Sequence, residues 1–403
     1  MKKGIVIVIS LLVIFAGCYY QLCSFTSPAQ STFSFQQNPD NSVNKNRLNE
    51  TFKQIANNDV RNIILFIGDG MGFTQIATSR IAEYGPDGHL TMEKMPVTGI
   101  MKVHSKNSLI TDSAASATAM ATGYKTNNKM ISMLPDSTRL KTVLEAAQIQ
   151  GMATGLVATS SITHATPAVF ASHSYSRYEH ENIAEQMLAT KVNVLLGGGK
   201  KYFLPDKVPD GVRKDNVNLI EQAQSNGYDF VDTRDALLNA TADSLLGLFK
   251  PEAMDNIPNE PSLAEMTQQA LKILSRNKNG FFLMVEGSQI DWAGHDNDLQ
   301  YSLREMHSFD EAVKAGLEFA MQDEHTLVIV TADHETGGMN ITDGDITNRG
   351  LEIKWMSGSH TGGPVPIFAF GPQALNFTGL IDNTDVAKIF GKLLNLEDFP
   401  MKY

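Results

Sequence analysis

From Asp59 onward, short apolar runs bounded by Gly or Asp alternate with longer amphipathic stretches. Residues 62–67, 154–158, 192–196, 281–285, 326–331 and 366–370 read as buried strands of a largely parallel sheet. Between them, residues 73–84, 140–150, 183–188, 262–275 and 299–321 carry helical periodicity, and the fourth stretch opens with the capping box Ser262-Leu-Ala-Glu265. Strands alternating with helices predict a layered α/β domain. Residues 200–259 are the least regular part.

The N-terminal pattern differs. Lys2 and Lys3 precede an apolar run over residues 5–15, the charged and hydrophobic parts of an export signal. The run is short for a membrane span of roughly 20 residues, although extension through Tyr19, Tyr20 and Leu22 leaves an uncleaved anchor open. Phe15-Ala-Gly-Cys18 resembles a bacterial lipoprotein box with Phe where Leu is usual, whereas Ser27-Pro-Ala29 suits an ordinary signal peptidase. The expected organisation is an export or lipoprotein signal at 1–29, a polar tether rich in Gln, Asn and Ser at 30–58, and one catalytic domain at 59–403. An exported protein follows: periplasmic, an outer-membrane lipoprotein, or extracellular. Cys18 and Cys23 are the chain's two cysteines, so the folded domain has no internal disulfide. The net charge of −11 and the lack of clustered Lys and Arg argue against a nucleic-acid surface.

In open α/β sheets, ligands gather beyond the carboxyl ends of the strands, and the chemistry-bearing residues sit there. Asp69 follows the first strand, between Gly68 and Gly70. Glu286 follows the run 281–285, Asp333 and His334 follow Thr331, and Thr163, His164 and Thr166 come just after Thr159. Asp291 and His295 lie four residues apart, one face of a helix, which suits zinc; alone, such a pair is more often a surface pair. Ser357-Gly-Ser-His360 adds a histidine in a glycine-rich turn. Thr111-Asp-Ser-Ala-Ala-Ser116 reads alone as a helix cap, with Ser113 and Ser116 both open as nucleophiles. Gly197-Gly-Gly199 lacks the spacing of a phosphate loop and reads as a structural turn.

Together these runs resemble those of the alkaline phosphatases, metal-dependent phosphomonoesterases that carry two zinc ions and one magnesium ion. The resemblance covers roughly residues 62–372. It rests on Gly-Asp-Gly-Met-Gly72, Asp112-Ser-Ala, His164-Ala-Thr-Pro167 with Arg177, Gly197 to Tyr202, Glu286 to His295, and Asp333-His334 with His360. It implies a three-layer α/β/α sandwich around a mostly parallel central sheet. Asp291, His295 and His360 would hold the first zinc, and Asp69, Asp333 and His334 the second. Asp69 would bridge to magnesium with Thr166 and Glu286. Ser113 would be the nucleophile, with zinc in place of a base, and a phosphoserine would form and be hydrolysed. Arg177 would clamp two phosphate oxygens with its planar fork.

The chain departs from the family's best-known bacterial member at two places: His164 stands where that enzyme has Asp, and Trp292 where it has Lys. The first implies weaker magnesium binding, with His164 near the third metal or in contact with its ligands. The second places Trp292 at the substrate in lieu of an ammonium. The short interval between His334 and His360 implies little or no crown, which makes a homodimer a weaker expectation than for larger members. Rival readings are a phosphodiesterase or sulfatase of the same superfamily and an inactive exported phosphate- or metal-binding protein. Thr166, Glu286 and Arg177, suited to the extra charge of a monoester, favour phosphate monoesters as substrates.

Overall fold

The run after Arg61, Asn-Ile-Ile-Leu-Phe-Ile-Gly, is apolar without alternation, and it forms the central strand β1 (Asn62–Gly68), buried along its whole length. The computed structural model describes residues 43–346 and 350–403; the expected signal at 1–29 and residues 30–42 of the expected tether lie outside the described residues. All six strands anticipated from the sequence join one ten-stranded sheet. The further strands are β2 (Val97–Lys102), β3 (Ala153–Ser161), β4 (Val194–Gly198), β5 (Asp229–Val231), β6 (Leu245–Leu248), β7 (Phe281–Gly287), β8 (Thr326–Thr331), Val365–Phe370 and Gly379–Asp382. Across the sheet the order is Gly379–Asp382, β2, Val365–Phe370, β8, β1, β7, β3, β4, β6, β5. Val365–Phe370 runs antiparallel to both of its neighbours, and every other pairing in this sheet is parallel.

Register decides where the site lies. Ile67 of β1 is level with Glu286 of β7 on one side and with Thr331 of β8 on the other. Asp69 and Asp333 therefore both stand two residues past the same line, and Glu286 stands on it. Helices Phe73–Tyr84, Leu263–Leu274 and Leu299–Asp323 form one outer layer, while Ser113–Thr122, Val143–Ile149, Ala165–Ala171 and Asn383–Leu393 form the other. Gly316 lets the long helix Leu299–Asp323 lie close on the sheet, since a Cβ there would come within 2.6 Å of the Phe66 ring. The capping box at Ser262 forms as anticipated. Between Asp333 and Val365 the chain makes a two-stranded hairpin, Asn340–Asp345 with Gly350–Lys354, and a short pair, Glu335–Thr336 with His360–Thr361.

The tether boundary is corrected. Residues Lys45–Ile55 form a helix whose N-cap, Asn44, accepts from the backbone N–H groups of Asn46 and Arg47. Leu48 and Ile55, seven positions apart and so on one helical face, are buried in the main core with Val43. Lys94 donates to the Val43 carbonyl at 3.1 Å, and the Gln373 amide to that of Ala56 at 2.9 Å. The folded part of the chain thus begins by Val43 rather than at Asp59. A single apolar stripe of Leu48, Phe52 and Ile55 among polar residues is enough to dock one face of a helix, though too thin to stand out along the sequence. Strands β2, β5, β6 and Gly379–Asp382 also went unanticipated, being short or interrupted by polar and glycine residues.

Replacing the buried Leu48 by Ala is expected to lower unfolding free energy by about 2–4 kcal/mol through lost burial and a residual cavity. Chemical denaturation checks this; a change under about 0.5 kcal/mol would show that the helix is a loosely attached part of the tether.

Candidate active site

The ends of β1, β7 and β8 each deliver a carboxylate to the same place, and the backbone beyond them fixes the direction. After Asp69 the chain turns through Gly70 at φ +73°, where a Cβ would lie 2.7 Å from the Asp291 Cα. Only glycine permits both the left-handed turn and that approach. The Gly70 amide donates to Asp333 Oδ1 at 3.1 Å, tying the two loops together. Glu286, at the end of β7, accepts the Ser288 hydroxyl at 2.6 Å. The chain then enters the helix Gln289–Asp296, which carries Asp291 and His295, and His360 arrives on the short strand paired with Glu335–Thr336.

The described residues contain three groups whose donor atoms lie within 4.8 Å of one another: Asp291, His295 and His360; Asp69, Asp291 and His334; Asp69, His164 and Glu286. Asp333 belongs to the same cluster, with its Oδ2 3.2 Å from His334 Nε2, while Asp69 Oδ1 is 3.4 Å from that nitrogen. Thr166 is buried in the first turn of the helix Ala165–Ala171, directly after His164. The third group brings in His164, which the resemblance placed near the third metal, and the buried hydroxyl of Thr166 two residues on has no hydrogen-bond partner among the described residues.

The donors are arranged for cations. His295 Nδ1 meets the Gly358 carbonyl at 2.8 Å and His360 Nδ1 the Thr111 carbonyl at 2.9 Å. A carbonyl only accepts, so each ring carries a proton on Nδ1 and directs its Nε2 inward; the two Nε2 atoms lie 3.2 Å apart. With Nδ1 committed outward, Nε2 is the nitrogen that each ring can offer to a cation once any proton there is displaced. Asp69 Oδ2 and Glu286 Oε1 are buried and receive no hydrogen bond among the described residues, a costly state for carboxylate oxygens that a metal ion relieves.

The titration behaviour says the same. Burial, followed by the charges of Asp333, Asp291 and Glu286, pushes Asp69 well up. Burial also raises Glu286 to about 7, and burial with the charge of Asp291 raises Asp333 to about 6. Burial acts upward on Asp291 too, but the hydrogen bond from His295 and the charges of His334 and His360 outweigh it and hold the carboxyl far below its usual range. Its hydrogen bond to Asp291 lifts His295 to about 9.

Ser113 opens the helix Ser113–Thr122 and is 1 % exposed. Its hydroxyl lies 3.2 Å from His334 Nε2 and 3.5 Å from Asp69 Oδ1. Ser116, its competitor in the sequence, donates instead to the Asp333 carbonyl at 2.7 Å and accepts from Asn383 at 3.0 Å, a structural role. Asp112 does cap the helix: Oδ1 accepts from the Ala115 amide, while Oδ2 takes the Lys129 amide at 2.9 Å and Arg177 Nη1 at 3.2 Å. Arg177 Nη2 meets His164 Nε2 at 3.1 Å. The partly buried Trp292 sets its ring edge-on to His164, centroids 6.2 Å apart. Gly199 is left-handed and leads into the turn Lys200–Phe203, consistent with a structural use of the glycine run.

The sequence reading overlooked Thr336. Its hydroxyl donates to Asp291 Oδ1 and meets His334 Nδ1 at 3.2 Å, tying together two donors of the innermost group. The signal was available: in extended backbone, residues two apart share a face, so His334 and Thr336 point the same way.

Comparison with known proteins agrees with this geometry. The alkaline phosphatase family model matches residues 60–350 and 342–396. Alkaline phosphatase 3 of Bacillus subtilis (strain 168) is 38 % identical, over 85 % of this chain and 91 % of its own. Alkaline phosphatase of Escherichia coli (strain K12) is 34 % identical, over 82 % and 85 %. Among solved structures, alkaline phosphatase from the Antarctic bacterium TAB5 superposes with a TM-score of 0.76 at 33 % identity, covering 84 % of this chain and 99 % of its own. A histidine-to-aspartate mutant of TAB5 alkaline phosphatase, described with Mg bound in the M3 site, matches equally well at 34 % identity. The chain therefore belongs to the alkaline phosphatase family, enzymes that release phosphate from phosphate monoesters.

Proposed function

We propose that this alkaline phosphatase works through a phosphoserine intermediate on Ser113. In this reading Asp291, His295 and His360 hold one zinc ion, Asp69, Asp333 and His334 hold a second, and Asp69, Thr166 and Glu286 hold magnesium with His164 beside it. The observation that carries the proposal is the position of the Ser113 hydroxyl, buried within 3.5 Å of both Asp69 and His334. His334 Nε2 faces the hydroxyl, but its Nδ1 meets Thr336 rather than a carboxylate, so the arrangement differs from a Ser-His-Asp relay and reads as a set of metal donors. When bound, the cations supply stabilisation of the serine alkoxide and of the charge on attacking and leaving oxygens. Mixed nitrogen and carboxylate donors suit zinc, and the oxygen-rich set around Glu286 suits magnesium.

The protein's own groups do the rest. Ser113 sits at the first position of its helix, so the free backbone N–H groups of that turn face an incoming phosphate. Asp112 fixes Arg177 through Nη1, which sets the guanidinium to present two N–H groups to non-bridging oxygens. Trp292 borders the substrate beside His164. Export, by lipidation at Cys18 or cleavage after Ala29, completes the proposal with homodimerisation; mass analysis of the mature N-terminus and light scattering measure these.

Ser113→Ala is expected to reduce turnover of a phosphate monoester on the order of 10³-fold or more and to abolish covalent labelling by substrate phosphate. Assaying a monoester, a diester and a sulfate ester before and after chelation completes the test. Preference for the diester, or activity that survives chelation, overturns the reading.

Arg177→Lys keeps the charge but not the fork, so kcat/KM for a monoester should fall roughly 10- to 100-fold, the loss of a charge-assisted hydrogen bond. An unchanged kcat/KM would show that Arg177 does not contact the phosphoryl group.

The raised carboxyls also set a pH dependence. Glu286 and Asp333 titrate at about 7 and about 6 in the metal-free fold, above the ordinary range, so their protonated forms favour the fold at low pH. That stability is lost as pH rises through 6 to 7, and cation binding, which needs the ionised forms, then releases protons. Between about pH 5 and about pH 8 the metal-free protein should lose thermal stability relative to the metal-loaded one. Parallel melting curves that keep a constant separation would contradict this.

A further inference from the structure

His164 has one lone pair and two claimants. A guanidinium only donates, so the 3.1 Å contact from Arg177 Nη2 makes His164 Nε2 an acceptor. Such an imidazole is neutral and carries its proton on Nδ1. That Nδ1 is buried and has no hydrogen-bond partner among the described residues. The same ring belongs to the group formed with Asp69 and Glu286, whose donor atoms lie within 4.8 Å.

A cation there can take His164 in two ways. Ligation through Nε2 removes the acceptor from Arg177 directly. Ligation through Nδ1 relieves the orphaned atom but moves the ring proton to Nε2, which then points an N–H at the guanidinium. Both exclude the bond to Arg177, since a neutral imidazole has one lone pair to give. The other anchor of Arg177, Asp112, is a carboxylate with spare lone pairs and is untouched by the exchange.

Resting on the proposed third site and on Arg177 as the phosphate clamp, we infer that His164 is a positioning residue coupling the two: it docks Arg177 while the third site is empty and releases Nη2 toward phosphate when that site fills. Coupling of this kind is reciprocal, so phosphate that draws Arg177 away raises affinity for the third cation by the factor by which the cation raises affinity for phosphate.

The test is calorimetric titration of inorganic phosphate into zinc-loaded protein with and without magnesium, for wild type and for His164→Asn. The amide oxygen of Asn has two lone pairs and serves guanidinium and cation together, so the substitution removes the competition while keeping a polar acceptor. Attraction between magnesium and phosphate is common to both proteins and cancels in the comparison. The expected result is an enhancement of phosphate affinity by magnesium about three- to tenfold larger in wild type than in His164→Asn, the scale of one hydrogen bond exchanged. Magnesium titrations with and without phosphate should return the same ratio. Equal enhancement in the two proteins overturns the coupling while leaving the metal assignment intact. Absence of a third binding event in wild type overturns that assignment and the coupling with it. A wild-type crystal structure with the third site filled gives an independent readout, in which Arg177 Nη2 and His164 Nε2 have separated beyond hydrogen-bond distance; a retained bond refutes the inference.

Discussion

Four carboxylates buried together, Asp69, Glu286, Asp291 and Asp333, are the constraint around which the molecule is organised. Like charges in a dry interior oppose one another, and desolvation penalises each again, so the cluster survives as part of a folded protein only with protons or cations among its members. The rest of the structure holds these acids together. Parallel strands β1, β7 and β8 share one register line, which brings their ends level, and helices on both faces keep the line dry.

That constraint explains why so much of the site was legible in the sequence. A strand buried on both faces must be continuously apolar, so the first ionisable residue after it marks both the strand end and the floor of a crevice. Asp69, Glu286 and the Asp333-His334 pair are marked in this way. Asp291 and His295 were legible for another reason, the helical spacing that puts them on one face. Apolar stripes identified the helices from 262 and 299, which bury many aliphatic side chains along one face.

Elements that depend on partners far along the chain were harder to read. The helix Lys45–Ile55 offers few apolar side chains, and its docking draws on groups far along the chain, among them Gln373, whose amide donates to Ala56 just past the helix. Strand β2 and its neighbour Gly379–Asp382 gain their identity from pairing across the sheet, β2 with Val365–Phe370 as well. Thr336 was missed because its value lies in joining Asp291 to His334, groups brought together only by folding. Asp112 shows the limit of choosing one role per residue: one oxygen serves the helix and the other the guanidinium.

Burial also grades the three donor groups. Asp69, Asp291 and His334 are all sealed from solvent, whereas the group at Asp291 includes the exposed His295 and the partly exposed His360. Water and competing chelators reach that outer group first. An ion held by the outer group would therefore meet solvent directly, whereas one held by Asp69, Asp291 and His334 would be screened by the protein on every side. Access and charge neutralisation are thus divided between two ends of one crevice: the outer donors face exchange with the medium, and the inner ones face the carboxylates that most need a counter-charge.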